Sequence, residues 1–128
     1  MKIEHIAMYV QDLERAKDFF THYFHATAGE KYHNPKTGFQ SYFLSFQVGE
    51  CRLEIMNKPE MECLDKPLTR AGYAHIALSA GSKEEVDRLT EQLRKDGYTV
   101  VSGPRTTGDG YYESCLVDFE DNQIEITI

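Results

Sequence analysis

Apolar and polar residues alternate at the start of the chain. Ile6, Met8 and Val10 point one way and Ile3, His5, Ala7 and Tyr9 the other, the period of two that a strand imposes. Asp12 then offers an N-cap, and Leu13, Ala16, Phe20, Tyr23 and Phe24 follow at helical spacing. Arg15, Lys17, Asp18 and Thr21 fill the other side. Residues 12–24 therefore read as an amphipathic helix laid on the apolar row of the strand. Beyond it, 27–32 suggests a short strand, 33–38 a loop, and 39–48 a longer strand. Gly49-Glu50 sits where a two-residue hairpin turn belongs, and 51–56 returns with Cys51, Leu53 and Ile55 opposite Arg52, Glu54 and Met56.

Periodicity fades across 58–71, which holds Pro59 and Pro67 and reads as a linker. The pattern then restarts. Residues 72–79 alternate, with Ala74, Ile76 and Leu78 opposite Tyr73, His75, Ala77 and Ser79. Ser82 and Glu85 are spaced as a capping box, Val86, Leu89 and Leu93 form a helical stripe, and Gly97 suits the left-handed residue that closes a helix. A short strand over 98–101, a Gly/Pro-containing loop over 102–110, a strand over 111–118, a turn and a last strand over 123–128 complete the chain. The predicted order is βαβββ twice, in modules 1–57 and 72–128 of one domain, an α+β protein with an internal repeat of two.

The composition narrows the partners. A chain of 128 residues, 41% hydrophobic and 27% charged, is ordinary for a single globular domain. Its net charge of −7 argues against a nucleic-acid partner, since phosphate binding needs a basic surface. No stretch nears the roughly 20 apolar residues of a membrane span, and the first residues do not resemble a signal peptide. The three cysteines, Cys51, Cys63 and Cys115, are odd in number and lack C-x-x-C spacing, which suits reduced thiols in the cytoplasm. Cys51 and Cys115 are expected to be mostly buried, and Cys63 to lie in a loop.

The repeat also carries the candidate chemistry. Glu4-His5-Ile6-Ala7-Met8 is echoed by Ala74-His75-Ile76-Ala77-Leu78, and Leu53-Glu54-Ile55 by Ile124-Glu125-Ile126. The His-to-Glu separations are 49 and 50 residues. Strand parity places His5, Glu54, His75 and Glu125 opposite the apolar rows, on the sheet face that the helices leave free. One such residue is usually just solvated, but two His and two Glu at equivalent places suit a divalent Zn, Ni, Co, Mn or Fe ion. Such a set leaves positions open for a Lewis-acid role. His22 and His25 near the first helix end, and His33 in a loop, read as surface residues.

The stretches IEHIAMYVQDLERAKDFF, GYAHIALSAGSKEEVDRL and YYESCLVDFEDNQIEI make the whole chain resemble the glyoxalase/bleomycin-resistance/dioxygenase superfamily, the vicinal oxygen chelate proteins. The resemblance implies paired βαβββ modules forming a cup-shaped mixed sheet around a divalent metal, and a homodimer whose sites are built from both chains. Within the family, the order His5, Glu54, His75, Glu125 is similar to the metal set of glyoxalase I, with nickel or cobalt favoured and zinc possible. Glu54 is the position that separates glyoxalase I from related thiol transferases and epimerases. The similarity assigns Glu125 as catalytic base and Glu54 as second carboxylate, in isomerisation of the hemithioacetal of methylglyoxal and a thiol to a 2-hydroxyacyl thioester.

Two stretches depart from glutathione-using members. Tyr9 replaces an arginine, and Thr107-Gly108-Asp109-Gly110 replaces a Lys-Gly-Gly loop. Arg52, Arg70 and Arg105 are alternative carboxylate partners, and Tyr9, Phe46, Tyr111 and Tyr112 are candidate pocket linings. The competing readings are a thiol transferase of the fosfomycin-resistance type, an epimerase, and a non-catalytic drug-binding member.

Overall fold

The computed structural model describes residues 1–128, which divide into two compact units, Met1–Cys63 and Leu64–Ile128. The division falls inside the stretch read as a linker.

The first unit contains β1 (His5–Tyr9), α1 (Leu13–Phe24), β2 (Thr27–Ala28), β3 (Tyr32–His33), β4 (Gln40–Ser45) and β5 (Arg52–Asn57). The strands lie in the order β1-β5-β4-β2, with β3 also paired to β4. β1 runs parallel to β5, and β4 antiparallel to it. α1 begins where expected because the Asp12 carboxylate accepts a hydrogen bond from the Arg15 N–H at 3.0 Å. It ends at His25, whose left-handed φ of 53° closes the helix. Leu13, Ala16, Phe19 and Phe20 of α1 are buried, as are Leu44 of β4 and Leu53 and Ile55 of β5 on the strands it packs over. Each large side chain so buried contributes about 1.5–3 kcal/mol.

The second unit repeats the plan with β6 (His75–Ser79), α2 (Lys83–Lys95), β7 (Thr99–Thr106), β8 (Tyr112–Val117) and β9 (Gln123–Thr127). Their order is β6-β9-β8-β7, with β6 parallel to β9. The Ser82 hydroxyl accepts from the Glu85 N–H at 3.2 Å, and Gly97 takes a φ of 93° beyond the helix end. Val86, Leu89, Leu93, Leu116, Ile124 and Ile126 form the core. Two hydroxyls join it: Thr90 and Ser114 lie 2.6 Å apart, and Thr90 also donates to the Val86 carbonyl at 2.6 Å. The chain thus has two helices and two mixed sheets, one of each in either unit.

Several local expectations are corrected. The stretch 102–110 is strand as far as Thr106, despite Gly103 and Pro104. β7 is an edge strand whose pairing with β8 shifts register on both sides of Ser102, and such irregular edges tolerate Gly and Pro. The strand expected over 27–32 is instead two short pieces, β2 and β3. β4 and β5 are joined by 46–51 rather than by a two-residue turn at Gly49-Glu50. Cys51 lies in that connection and is exposed, contrary to the expected burial. Cys115 is half-buried and Cys63 exposed.

The helices also cover less of each sheet than expected. α1 packs over β5, β4 and β2, and α2 over β7, β8 and β9. Ile6 is left exposed, and Met8, Ile76 and Leu78 are only half-buried. The reason is topological: β1 and β6 are edge strands, and each following helix crosses away from them toward the far side of its sheet.

Candidate functional site

Strand register places the sequence-predicted residues as parity required. In the first module Ala7 and Phe43 are the register partners of Glu54, and Arg52 that of His5. His5, Arg52, Phe43 and Glu54 therefore share the face opposite α1. His5 Nε2 lies 3.9 Å from Glu54 Oε2. In the second module Ala77 and Cys115 flank Glu125, and His75 Nε2 lies 3.6 Å from Glu125 Oε2. The two pairs match in accessibility as well as distance. The imidazoles are 39% and 40% exposed and the carboxylates 15% and 18%.

Two donors bound to one first-row ion at ~2.0–2.2 Å stand roughly 3–3.6 Å apart. Each pair is close to that spacing and too long for a hydrogen bond. The nitrogen and oxygen donors fit a divalent ion of intermediate hardness. Each module brings together one His and one Glu, and within neither are three or more His, Cys, Asp or Glu side chains gathered as a complete ligand set.

The carboxylates differ in setting. Burial and the neighbouring Glu113 push the Glu125 carboxyl above its ordinary range, while His75 and Arg105 oppose the rise. Glu113 is itself 17% exposed and lies 3.7 Å from the Arg105 guanidinium. Burial, then the charges of Glu125 and Glu113, push the Cys115 thiol up, which keeps it protonated rather than nucleophilic.

A different network surrounds the first histidine. The Glu4 carboxylate meets the His5 ring at Nδ1 and pairs with the Arg52 guanidinium. Those contacts hold its carboxyl below the usual carboxylate range. Arg52 lies over the Phe43 ring at 4.2 Å, and the Phe43 and His5 rings meet edge to face at 5.3 Å.

Glu4 and Glu113 were not singled out in the sequence. Glu113 was findable, because it shares parity with Cys115 on a strand antiparallel to that of Glu125. Glu4 was not, since it lies just before β1 and no periodicity governs its side chain.

The other candidates scatter. Tyr112 does not belong to the open face, because its hydroxyl donates to Asp87 of α2 at 2.6 Å. Tyr9 and Tyr111 are exposed, and Lys58 sits 5.4 Å over the Tyr9 ring. Phe46 lies half-buried in the 46–51 connection. Arg70 donates to the Pro67 carbonyl at 3.4 Å, and Arg105 faces Glu113. His22, His25 and His33 are exposed, as expected.

Two units, each a helix on a mixed sheet with one His/Glu pair on the helix-free face, define a class of protein, and comparison with known proteins supplies its family. Residues 2–126 match the model of the Glyoxalase/Bleomycin resistance protein/Dioxygenase superfamily. The chain belongs to that superfamily. It is 30% identical over 132 residues to the uncharacterised protein YqjT of Bacillus subtilis (strain 168), a match covering 97% of this chain and 96% of the relative. Among solved structures, a glyoxylase/bleomycin resistance protein/dioxygenase domain from Frankia sp. EAN1pec superposes with a TM-score of 0.82 at 16% identity, covering 100% of this chain and 97% of that one. The trypanothione-dependent glyoxalase I of Leishmania major gives a TM-score of 0.78 at 20% identity, covering 99% and 86%. At these identities the solved structures speak to the fold.

Proposed function

We propose that the protein is a metal-dependent, glyoxalase I-like lyase that isomerises the hemithioacetal of an α-ketoaldehyde such as methylglyoxal and a small thiol to a 2-hydroxyacyl thioester. The observation that carries this reading is the matched pair of His/Glu contacts, one on the helix-free face of each module. His5, Glu54, His75 and Glu125 would together hold one divalent ion, with nickel or cobalt favoured over zinc. When bound, the ion supplies Lewis-acid stabilisation of the negative charge that develops on the substrate oxygens.

The chain's own residues do the rest. Glu125 takes the proton from the thiol-bearing carbon and returns it to the adjacent carbon, while the hydroxyl proton of the first carbon passes to the former ketone oxygen. The first carbon is oxidised as the second is reduced, so the isomerisation needs no outside redox partner. The raised proton affinity of Glu125 suits it to that task. Glu54 serves as the second carboxylate. The half-buried apolar rows of β1 and β6 support a homodimer, in which a second copy covers surface that the helices leave uncovered. Three free thiols fit a reducing, cytoplasmic setting.

The test is an isomerase assay on hemithioacetals of methylglyoxal with a panel of thiols, using chelated protein reconstituted with Ni, Co or Zn. Metal-dependent thioester formation with at least one thiol is expected. Stoichiometric metal binding without isomerisation of any adduct would favour a thiol transferase or epimerase. Absence of metal binding would favour a non-catalytic binding member.

A further inference from the structure

The two histidines are not equally supported. His75 follows Ala74 and has no neighbouring carboxylate of that kind, and the residue at its register partner, Gln123, turns its amide to the Leu68 carbonyl at 2.8 Å. His5 follows Glu4, whose carboxylate meets the ring at Nδ1. Glu4 is held in turn by Arg52, its other oxygen receiving the guanidinium, and by the strand ladder, where the Arg52 N–H donates to the Glu4 carbonyl at 3.1 Å. Arg52 is fixed over Phe43, and Phe43 packs its ring against His5. The four side chains close a ring of contacts around one imidazole.

We propose that Glu4 is a positioning residue that fixes His5 as the Nδ1–H tautomer, leaving the Nε2 lone pair facing Glu54 and ready for a metal. The inference rests on the metal-binding reading above. Its physical basis is general: a neutral imidazole carries one N–H, and an acceptor at one nitrogen decides which nitrogen keeps the lone pair. A carboxylate behind a ligating histidine also strengthens the free nitrogen as a donor. Orientation is the main contribution. Glu4 is 55% exposed, and an ion pair so open to solvent adds little stability of its own. The consequence is an asymmetric site, in which the first module presents an ordered ligand pair and the second a freer one.

Two measurements on the full-length protein test this. The first is long-range ¹H–¹⁵N spectroscopy of the metal-free protein at alkaline pH, where imidazole is neutral. Wild type should show His5 as a single Nδ1–H tautomer, and Glu4→Ala a mixture dominated by Nε2–H. The second is a competition titration with Ni²⁺ or Zn²⁺ alone. Glu4→Ala should bind about 10–100-fold more weakly, Glu4→Gln should fall in between, and Glu50→Gln, which alters only the exposed Lys2 pair, should match wild type. A His5 tautomer mixture in the wild type overturns the proposal. So does a Glu4→Ala protein with unchanged tautomer and unchanged affinity. A wild type that binds no metal refutes the parent reading instead, and the tautomer measurement still decides what Glu4 does to His5.

Discussion

His75 Nε2 stands 3.6 Å from Glu125 Oε2, although Glu125 is in register with Ala77 and not with His75. The carboxylate reaches diagonally along the parallel pair of strands, as Glu54 does toward His5. Glu125→Gln keeps an oxygen donor but cannot accept the substrate proton. It is expected to lower kcat by about 10²–10⁴-fold while the protein still takes up metal. Elemental analysis beside the isomerase assay checks both parts. An unchanged kcat would remove Glu125 from the role of base.

Chelation should abolish activity in the wild type, and adding back nickel or cobalt should restore it. Histidine substitutions should act on affinity first. His5→Ala and His75→Ala are each expected to weaken metal binding without unfolding the protein, because both imidazoles are substantially exposed. Metal titration beside circular dichroism separates the two effects.

Thr90 and Ser114 bind α2 to β8 inside the second core. The single Thr90 hydroxyl proton goes to the Val86 carbonyl, so Ser114 donates the bond between them. Thr90→Val leaves the buried Ser114 hydroxyl without its acceptor and should cost about 1–3 kcal/mol. Thr90→Val with Ser114→Ala should recover part of that loss. Urea denaturation of Thr90→Val, Ser114→Ala and the double variant measures it, and an additive double mutant would contradict the coupling.

Gly103 has a φ of 82°, and a Cβ placed there would lie 2.5 Å from the Glu113 carbonyl oxygen and 2.9 Å from Ser114 Cα. Both neighbours are backbone and cannot move aside cheaply. Gly103→Ala should destabilise by about 2 kcal/mol or more. Gly108→Ala meets nothing within 4 Å and should stay within about 0.5 kcal/mol of wild type. Chemical denaturation of the pair tests the contrast.

Glu14 gathers Lys17 at 2.7 Å, Lys31 at 2.9 Å and the Tyr42 hydroxyl at 3.0 Å. Hydrogen bonds from Lys17, then Lys31, lower its carboxyl from 4.5 to about 2. A depressed folded value means the stabilisation is present above pH 4.5 and is lost as the pH falls from there toward 2. The side chain is 49% exposed, so solvent screening keeps the contribution below about 1 kcal/mol. Glu14→Gln should flatten that part of the stability–pH curve. An unchanged acid limb would show that the pairs contribute nothing measurable.

Much of this was legible in the sequence because period-two alternation and register obey one rule. Once Leu53 and Ile55 are assigned to the core, Glu54 must face away from it, and the same reasoning places Glu125 between Ile124 and Ile126. Both helices were readable from Asp12, Ser82 and Gly97, whose local hydrogen bonds and dihedrals set the ends. The failures lie where tertiary context overrides local signals. Gly103 and Pro104 look like a loop but sit on an edge strand with shifted register. Ile6 looks like core, yet α1 crosses away from β1. Glu4 touches His5 through side-chain reach, which no spacing rule encodes.

The alternation along β5 also governs which changes of chain length the protein can absorb. Deleting Ile55 would flip the side chains on one side of the gap, so that either Glu54 turns toward α1 with Leu53 on the open face, or Met56 takes the buried position. The connection 46–51 and the stretch 58–71 carry no such constraint, because no ladder pairing passes through them. Natural length variation compatible with the His/Glu pairs should therefore fall in those segments, while the strands change by substitution alone.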